Sequence, residues 1–224
     1  FSGKCKSYFP DPYQGGRPSP KEARREPTEE EVLAELEEID TLPSLALPDR
    51  KLSKATMEHF GIKVGVSEED GVTPQIKFFP FRRGADRTAY KVKTIDPKNI
   101  WITGDFSDVD MFGWHEAIAS GGYKLFITEG EEDAAALYQV LKNKAKGTKW
   151  ENDDPAVVSL SSGSSSARRD LARVANVIRS SFKEVVLAFD MAEAGEKARQ
   201  DALQVLPTAR AAILPSKDAN ACLI

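Results

Sequence analysis

The chain has 224 residues, 41% of them hydrophobic and 29% charged, with a formal net charge of −4, which suits one large globular domain or two small ones. That composition excludes a collagen, a long coiled coil and a wholly disordered chain, and the net charge excludes a uniformly basic nucleic-acid coat. No run approaches the roughly 20 apolar residues of a membrane span, and the first residues have no leader pattern.

Two cysteines, Cys5 and Cys222, with two histidines between them, give neither a disulfide framework nor a zinc spacing by themselves. The expectation is a soluble, unprocessed chain in a reducing cytoplasm. Its opening at Phe1 rather than Met points to a piece of a longer protein.

Residues 1–27 are short of aliphatic side chains and rich in Pro, Gly and charge, the composition of a linker. Thr28 followed by Glu31 is a capping box. Val32, Leu33, Leu36 and Ile39 then recur at helical spacing, ended by Pro43 and Pro48. This helix is acidic: residues 21–40 hold nine acids against three bases. A second helix is predicted from Lys54 to about Phe60, capped by Ser53 and stopped by Gly61.

From residue 62 to 95 the pattern is short extended runs: 62–66, an Asp70-Gly71 turn, 75–81, a polar 82–87 loop, and 89–95. This predicts a small antiparallel sheet. Residues 77–98 hold seven basic residues against two acids, interleaved with Phe78, Phe79, Phe81 and Tyr90, as if one face packs and the other meets an anion. Residues 97–121, with Trp101, Phe106, Phe112 and Trp114, are read as an aromatic connector between two lobes.

The last hundred residues alternate: strand 123–128, helix 134–141, strand 156–160, helix 167–178, strand 184–189, helix 196–206, strand 211–214. Such alternation implies a parallel sheet covered by helices on both faces. The predicted organisation is a linker over 1–27, a small basic α+β subdomain over 28–121 and an α/β domain over 122–224.

Ligands of an open parallel sheet bind beyond the carboxyl ends of its strands. Those ends read Thr128-Glu129-Gly130-Glu131-Glu132-Asp133, Ser161-Ser162-Gly163-Ser164-Ser165-Ser166, Asp190-Met191-Ala192-Glu193-Ala194-Gly195 and Pro215-Ser216-Lys217-Asp218-Ala219-Asn220. Three of the four bring carboxylates to one rim, and carboxylates so gathered repel unless a cation sits among them. The rim thus has the composition of a magnesium site for phosphate chemistry. Each acid taken alone equally suits a helix N-cap or first turn, the Ser/Gly run equally suits a plain loop, and Arg168, Arg169, Arg173 and Arg179 suit a solvated helix face.

Thr128-Glu129-Gly130, Phe189-Asp190-Met191-x-Glu193-Ala194-Gly195 and the ending Leu214-Pro215-Ser216-Lys217-Asp218-Ala219-Asn220 resemble the Toprim fold in the version found in bacteriophage primase-helicases, relatives of the mitochondrial helicase Twinkle. The similarity extends upstream through Tyr90-Lys91-Val92-Lys93, Lys98-Asn99 and Leu52-Ser53-Lys54-Ala55-Thr56. The resemblance implies a DNA primase, making short RNA on single-stranded DNA from ribonucleoside triphosphates with Mg²⁺ or Mn²⁺. It implies Glu129 as general base or metal-facing acid, with Asp190 and Asp218 as catalytic and metal-holding acids. Lys91, Lys93 and Lys98 would meet nucleotide phosphates and template. Ser161 and Gly163 of the small loop join them as candidate nucleotide contacts.

Two departures stand out. Ala192 occupies the place of the second aspartate of the family's Asp-x-Asp, leaving Glu193 or Glu131 to substitute, or the site weakened. The family's amino-terminal zinc module is represented at most by its end, with Cys5 as one surviving ligand, so zinc is expected only in the missing module. A carboxy-terminal helicase would lie beyond Ile224. The competing expectations are a nucleic-acid-binding Toprim module with weakened chemistry and a Toprim nuclease.

Overall fold

The computed structural model describes residues 28–224; the expected linker, the end of a zinc module and Cys5 lie outside the described residues. The described residues build two four-stranded sheets, one antiparallel and one parallel. The helix over Glu131–Ala145 lies between them, and its position decides which residues meet at the site.

Helix α1 (Glu29–Thr41) starts on the expected reciprocal cap, in which Thr28 Oγ1 accepts from Glu31 N at 3.3 Å and Glu31 Oε2 accepts from Thr28 N at 2.8 Å. Its buried Leu36 and Ile39 pack on Phe78, Tyr90 and Val92. Asp40, at its end, accepts from the Tyr90 hydroxyl at 2.6 Å and pairs with Arg87. Helix α2 (Lys54–His59) is capped by Ser53, and the chain leaves it through Gly61 at φ +64°.

Strands β1 (Lys63–Val66), β2 (Pro74–Arg83), β3 (Asp86–Thr94) and β4 (Ile100–Gly104) pair antiparallel in sequence order. The polar 82–87 segment is mostly strand, because Arg83 pairs with Asp86 and the turn is only Gly84-Ala85. Residues 97–121 are likewise more than a connector. They contain edge strand β4 and helix α3 (Trp114–Ser120), and although Phe112 is buried between the sheets, Trp101 is exposed on β4.

The parallel sheet consists of β5 (Lys124–Thr128), β6 (Ala156–Ser159), β7 (Glu184–Leu187) and β8 (Arg210–Ala211), in the order β6-β5-β7-β8. The last strand is two residues, shorter than its apolar run suggested. The other helices are α4 (Glu131–Ala145), α5 (Ala167–Ser181), α6 (Glu193–Val205) and α7 (Ala219–Leu223).

Period-two alternation sends Leu125 and Ile127 to the α5/α6 side, where they meet Leu171, Ile178, Ala198 and Ala202. Phe126 and Val157 face the other way, into the cluster that holds Ala134, Ala135 and Tyr138 of α4 together with Phe79 and Phe81 of β2. The alanines let α4 lie close to both sheets at once. Among the described residues, no helix is long and apolar enough to cross a membrane.

Asp40 is a polar tie between α1 and the sheet, beside the bond from Thr103 to Glu35. Asp40→Ala removes a charge-assisted bond and leaves Tyr90 Oη without its acceptor, an expected loss of about 1–3 kcal/mol. Hydrogen exchange across residues 29–41 should speed up, with protection in the parallel sheet unchanged.

Candidate active site

The rim is assembled by hydrogen bonds that run between strand ends. Glu129 follows β5, and its Oε1 accepts from the Asp190 backbone N at 2.9 Å, joining the end of β5 to the end of β7. Met191 N donates to Lys217 O at 2.9 Å, joining the end of β7 to the segment after β8. Gly195, in the first turn of α6, closes over both: a Cβ there would fall 2.1 Å from Asp190 O and 2.6 Å from Glu129 Oε1. Glycine is therefore required by close approach.

A fourth acid belongs to this group. Asp133 stands one helical turn beyond Glu129 in the first turn of α4, and its Oδ1 accepts from Asn220 N at 3.0 Å. Asp218 is the N-cap of α7, accepting from Ala221 N at 2.7 Å. Sequence reasoning quoted Asp133 without selecting it. The available signal was its i+4 spacing from Glu129 across a strand-to-helix turn.

Glu129, Asp133 and Asp190 are partly desolvated and feel the charge of neighbouring carboxylates. Burial, then the charge of Asp190, raises the pKa of Glu129; burial, then Asp218, raises that of Asp190. Asp133 is pushed up to about 7, first by burial and then by Asp218, Asp190 and Glu132, against the opposing bond from Asn220. No three His, Cys, Asp or Glu side chains among the described residues form a closed metal cage. The donors are hard oxygens, and the arrangement fits a divalent ion held by one or two carboxylates, with phosphate and water oxygens completing its shell. Ala192 is the exposed N-cap of α6 and offers no side-chain cap.

The lysines have protein partners. Lys91 Nζ binds Glu131 and also donates to Ser161 O at 2.6 Å, while Lys93 Nζ reaches the other oxygen of Glu131 at 2.7 Å. Lys77 pairs with Glu132, which also stands 3.4 Å from Arg50. Burial alone would raise the pKa of Glu131, but Lys93 and Lys91 outweigh it and the carboxylate is held below its usual range. The sheet face expected to meet an anion thus meets the acids that open α4.

Lys98 is different: it lies exposed in the β3–β4 turn and makes no ion pair among the described residues. Ser161 is buried, its N–H donating to Asp170 and its Oγ accepting from Arg169 at 2.9 Å. Gly163 turns the following loop at φ +62°. Lys91, Lys93, Glu129, Glu131 and Gly163 line one groove of about 430 Å³ together with Ile100, Ile102 and Phe106.

Comparison with known proteins agrees with this fold. Residues 124–217 match the Toprim domain. The primase fragment of the bacteriophage T7 primase-helicase superposes with a TM-score of 0.65 at 35% identity, covering 80% of this chain and 69% of that one. The chain belongs to the bacteriophage primase-helicase family, as its primase half. A second similar structure, with a TM-score of 0.63 and 35% identity over 79% of this chain and 83% of the other, comes from T7 lagging-strand DNA polymerase interacting with primase domains bound to an RNA/DNA hybrid and dTTP. The DNA helicase/primase of Enterobacteria phage T3 is 34% identical over 180 residues, 80% of this chain; the chain spans 29% of that protein's length.

Two outcomes follow from this geometry. Glu131→Gln leaves Lys91 and Lys93 without a counter-charge in a buried setting, a loss expected at roughly 3–5 kcal/mol in urea unfolding. Asp133 gives the opposite sign. With its folded pKa at about 7 against the ordinary 3.8, it costs little at pH 3.5, where it is mostly protonated in both states. The cost builds as pH rises from about 4 to 7 and levels off above that. In a chelator, Asp133→Asn should raise stability by roughly 3 kcal/mol at pH 8 and change little near pH 3.5, as thermal melts at the two pH values will show.

Proposed function

We propose that this chain is the catalytic core of a DNA primase, joining ribonucleoside triphosphates into a short RNA on a single-stranded DNA template. The observation that carries the reading is the bond from Asp190 N to Glu129 Oε1, which gathers acids from separate strand ends of a Toprim sheet into one partly desolvated group. Mg²⁺ or Mn²⁺, when bound, would neutralise the phosphates of the incoming nucleotide and lower the barrier to in-line attack. One or two of Glu129, Asp190 and Asp218 would hold it, phosphate and water oxygens completing the shell, with Asp133 beside them.

In this reading Glu129, whose proton affinity is raised by burial and by Asp190, takes the proton of the attacking hydroxyl or faces the metal. Lys98 meets a phosphate directly. Lys91 and Lys93 hold the groove's positive wall through Glu131, and Gly163 leaves the loop open beside them. Single-stranded template and nucleotide are the partners of this half; a zinc module before it and a helicase after it are the partners in the intact protein, inside the host cytoplasm.

Ala192 supports a second reading, a Toprim module that binds nucleic acid with weakened chemistry, because a methyl group is no ligand. An aspartate there would add a carboxylate to the rim and would also cap α6, a gain of about 1 kcal/mol. Calorimetric titration with Mg²⁺ separates the effects: tighter binding by Ala192→Asp marks a ligand, and a higher melting temperature with equal affinity marks a cap alone.

Incorporation of labelled ribonucleotides on single-stranded DNA tests the main reading, and nicking of plasmid DNA would instead assign a nuclease. In the Ala192→Asp background, Glu129→Gln should abolish most primer synthesis and leave the melting temperature equal or slightly higher, since the amide oxygen still accepts from Asp190 N while one repelling charge is gone. Full synthesis by the Gln variant would end the catalytic assignment. Lys98→Ala should lower the log–log salt slope of single-stranded DNA binding by about 1.

A further inference from the structure

Strand β4 exposes three consecutive large apolar residues, Ile100, Trp101 and Ile102, and the two isoleucines are 58% and 39% exposed. Their placement follows from register. Ile100 pairs with Lys93 and Ile102 with Lys91, so both stand on the sheet face that carries those lysines, with Trp101 on the other. The start of α4 covers this face over β2 and β3, where its Glu131 and Glu132 hold Lys91, Lys93 and Lys77. It stops short of β4. The uncovered isoleucines, with Phe106, line the same groove as Glu129, Gly130 and Gly163.

The primase reading leaves this wall without a role, and its chemistry is specific. A groove of about 430 Å³ that combines the Glu129 carboxylate with exposed isoleucines and the half-buried Phe106 ring suits a ligand that has a polyanionic end and a flat apolar end. We propose that Ile100, Ile102 and Phe106 form the platform on which the base of the bound nucleoside triphosphate lies, while its phosphates reach the acid rim through the divalent cation. The inference rests on the primase reading and deepens it. The isoleucine side chains have no hydrogen-bonding group, so the platform holds any base by its face. Base selection is left to the template. The platform touches no reacting atom, and its residues are positioning residues.

The test compares ATP with inorganic tripolyphosphate, each with Mn²⁺, binding to the wild type and to Ile100→Thr/Ile102→Thr. Threonine keeps the β-branch that suits an edge strand, so β4 remains paired. The expected result is roughly tenfold weaker ATP binding with tripolyphosphate binding, melting temperature and sedimentation unchanged, and ATP affinity kept in Ile102→Val. In primer synthesis the KM for nucleotide rises with kcat nearly constant. ATP binding that does not change, or that falls in step with tripolyphosphate, overturns the platform. A shift in oligomeric state would also overturn it and assign the wall to contact between copies. A wild-type chain that binds neither ligand sinks the primase reading itself, whereas normal wild-type binding with unaffected variants removes the platform alone.

Discussion

The arrangement of the two sheets depends on a set of buried charges at the start of α4. Glu131 is 2% exposed and meets both Lys91 and Lys93, while Glu132 meets Lys77. Bringing these groups out of water is expensive, and an apolar replacement of equal volume is often as stable. What the charges contribute is specificity. Alanines of α4 would tolerate several rotations against an aromatic sheet, but only one puts both glutamates against the lysines, which stand on adjacent strands in fixed register. That rotation also sets where Glu129 and Gly130 leave β5, and so aims the rim.

The rim imposes the opposite constraint. Glu129, Asp133 and Asp190 all have raised proton affinity, first from burial and then from the charge of Asp190 or Asp218, so the rim is a source of instability that the scaffold has to contain. It does so with backbone donors, Asp190 N to Glu129, Asn220 N to Asp133 and Ala221 N to Asp218, and with the more distant charges of Arg199 and Lys217. An N–H orients a carboxylate without neutralising it, so the charge remains available to a cation. The lysines nearby are placed so that their charge is absorbed by Glu131 and Glu132 first. Two acid sets thus lie within five residues of sequence, one neutralised inside the protein and one left open.

Much of this was legible in the sequence, for identifiable reasons. The β–α alternation after residue 122 was readable because buried parallel strands are short continuous apolar runs and their helices carry a 3.6-residue period. The acid rim was readable because topology alone sends every strand end to one side. The capping box at Thr28 is a local signal and survives intact. Strand β4 was hidden among the aromatics and turn residues of 97–121, since five residues paired along one edge leave little periodicity. The partners of Lys77 and Lys91 were hidden for another reason: they lie 55 and 40 residues away. A basic ribbon in a sequence looks the same whether its counter-charge is a phosphate or a glutamate.

That ambiguity also reconciles the net charge of −4 with a polyanionic partner. A nucleic acid responds to the field at the groove, and the sum over the chain describes something else. Much of the acid excess sits on α1, behind the antiparallel sheet. Its Leu36 and Ile39 pack on Phe78, Tyr90 and Val92, on the sheet face opposite the one that carries the groove lysines. Glu131 and Glu132 are compensated where they stand. The rim acids are offset only in part, by Arg199 at Glu129 and Lys217 at Asp190, and under the proposed function a divalent cation would convert them from a repulsive to an attractive surface for phosphate. On that reading, association with a polyanion at this site would be metal-linked, because without a cation the rim presents carboxylate to phosphate.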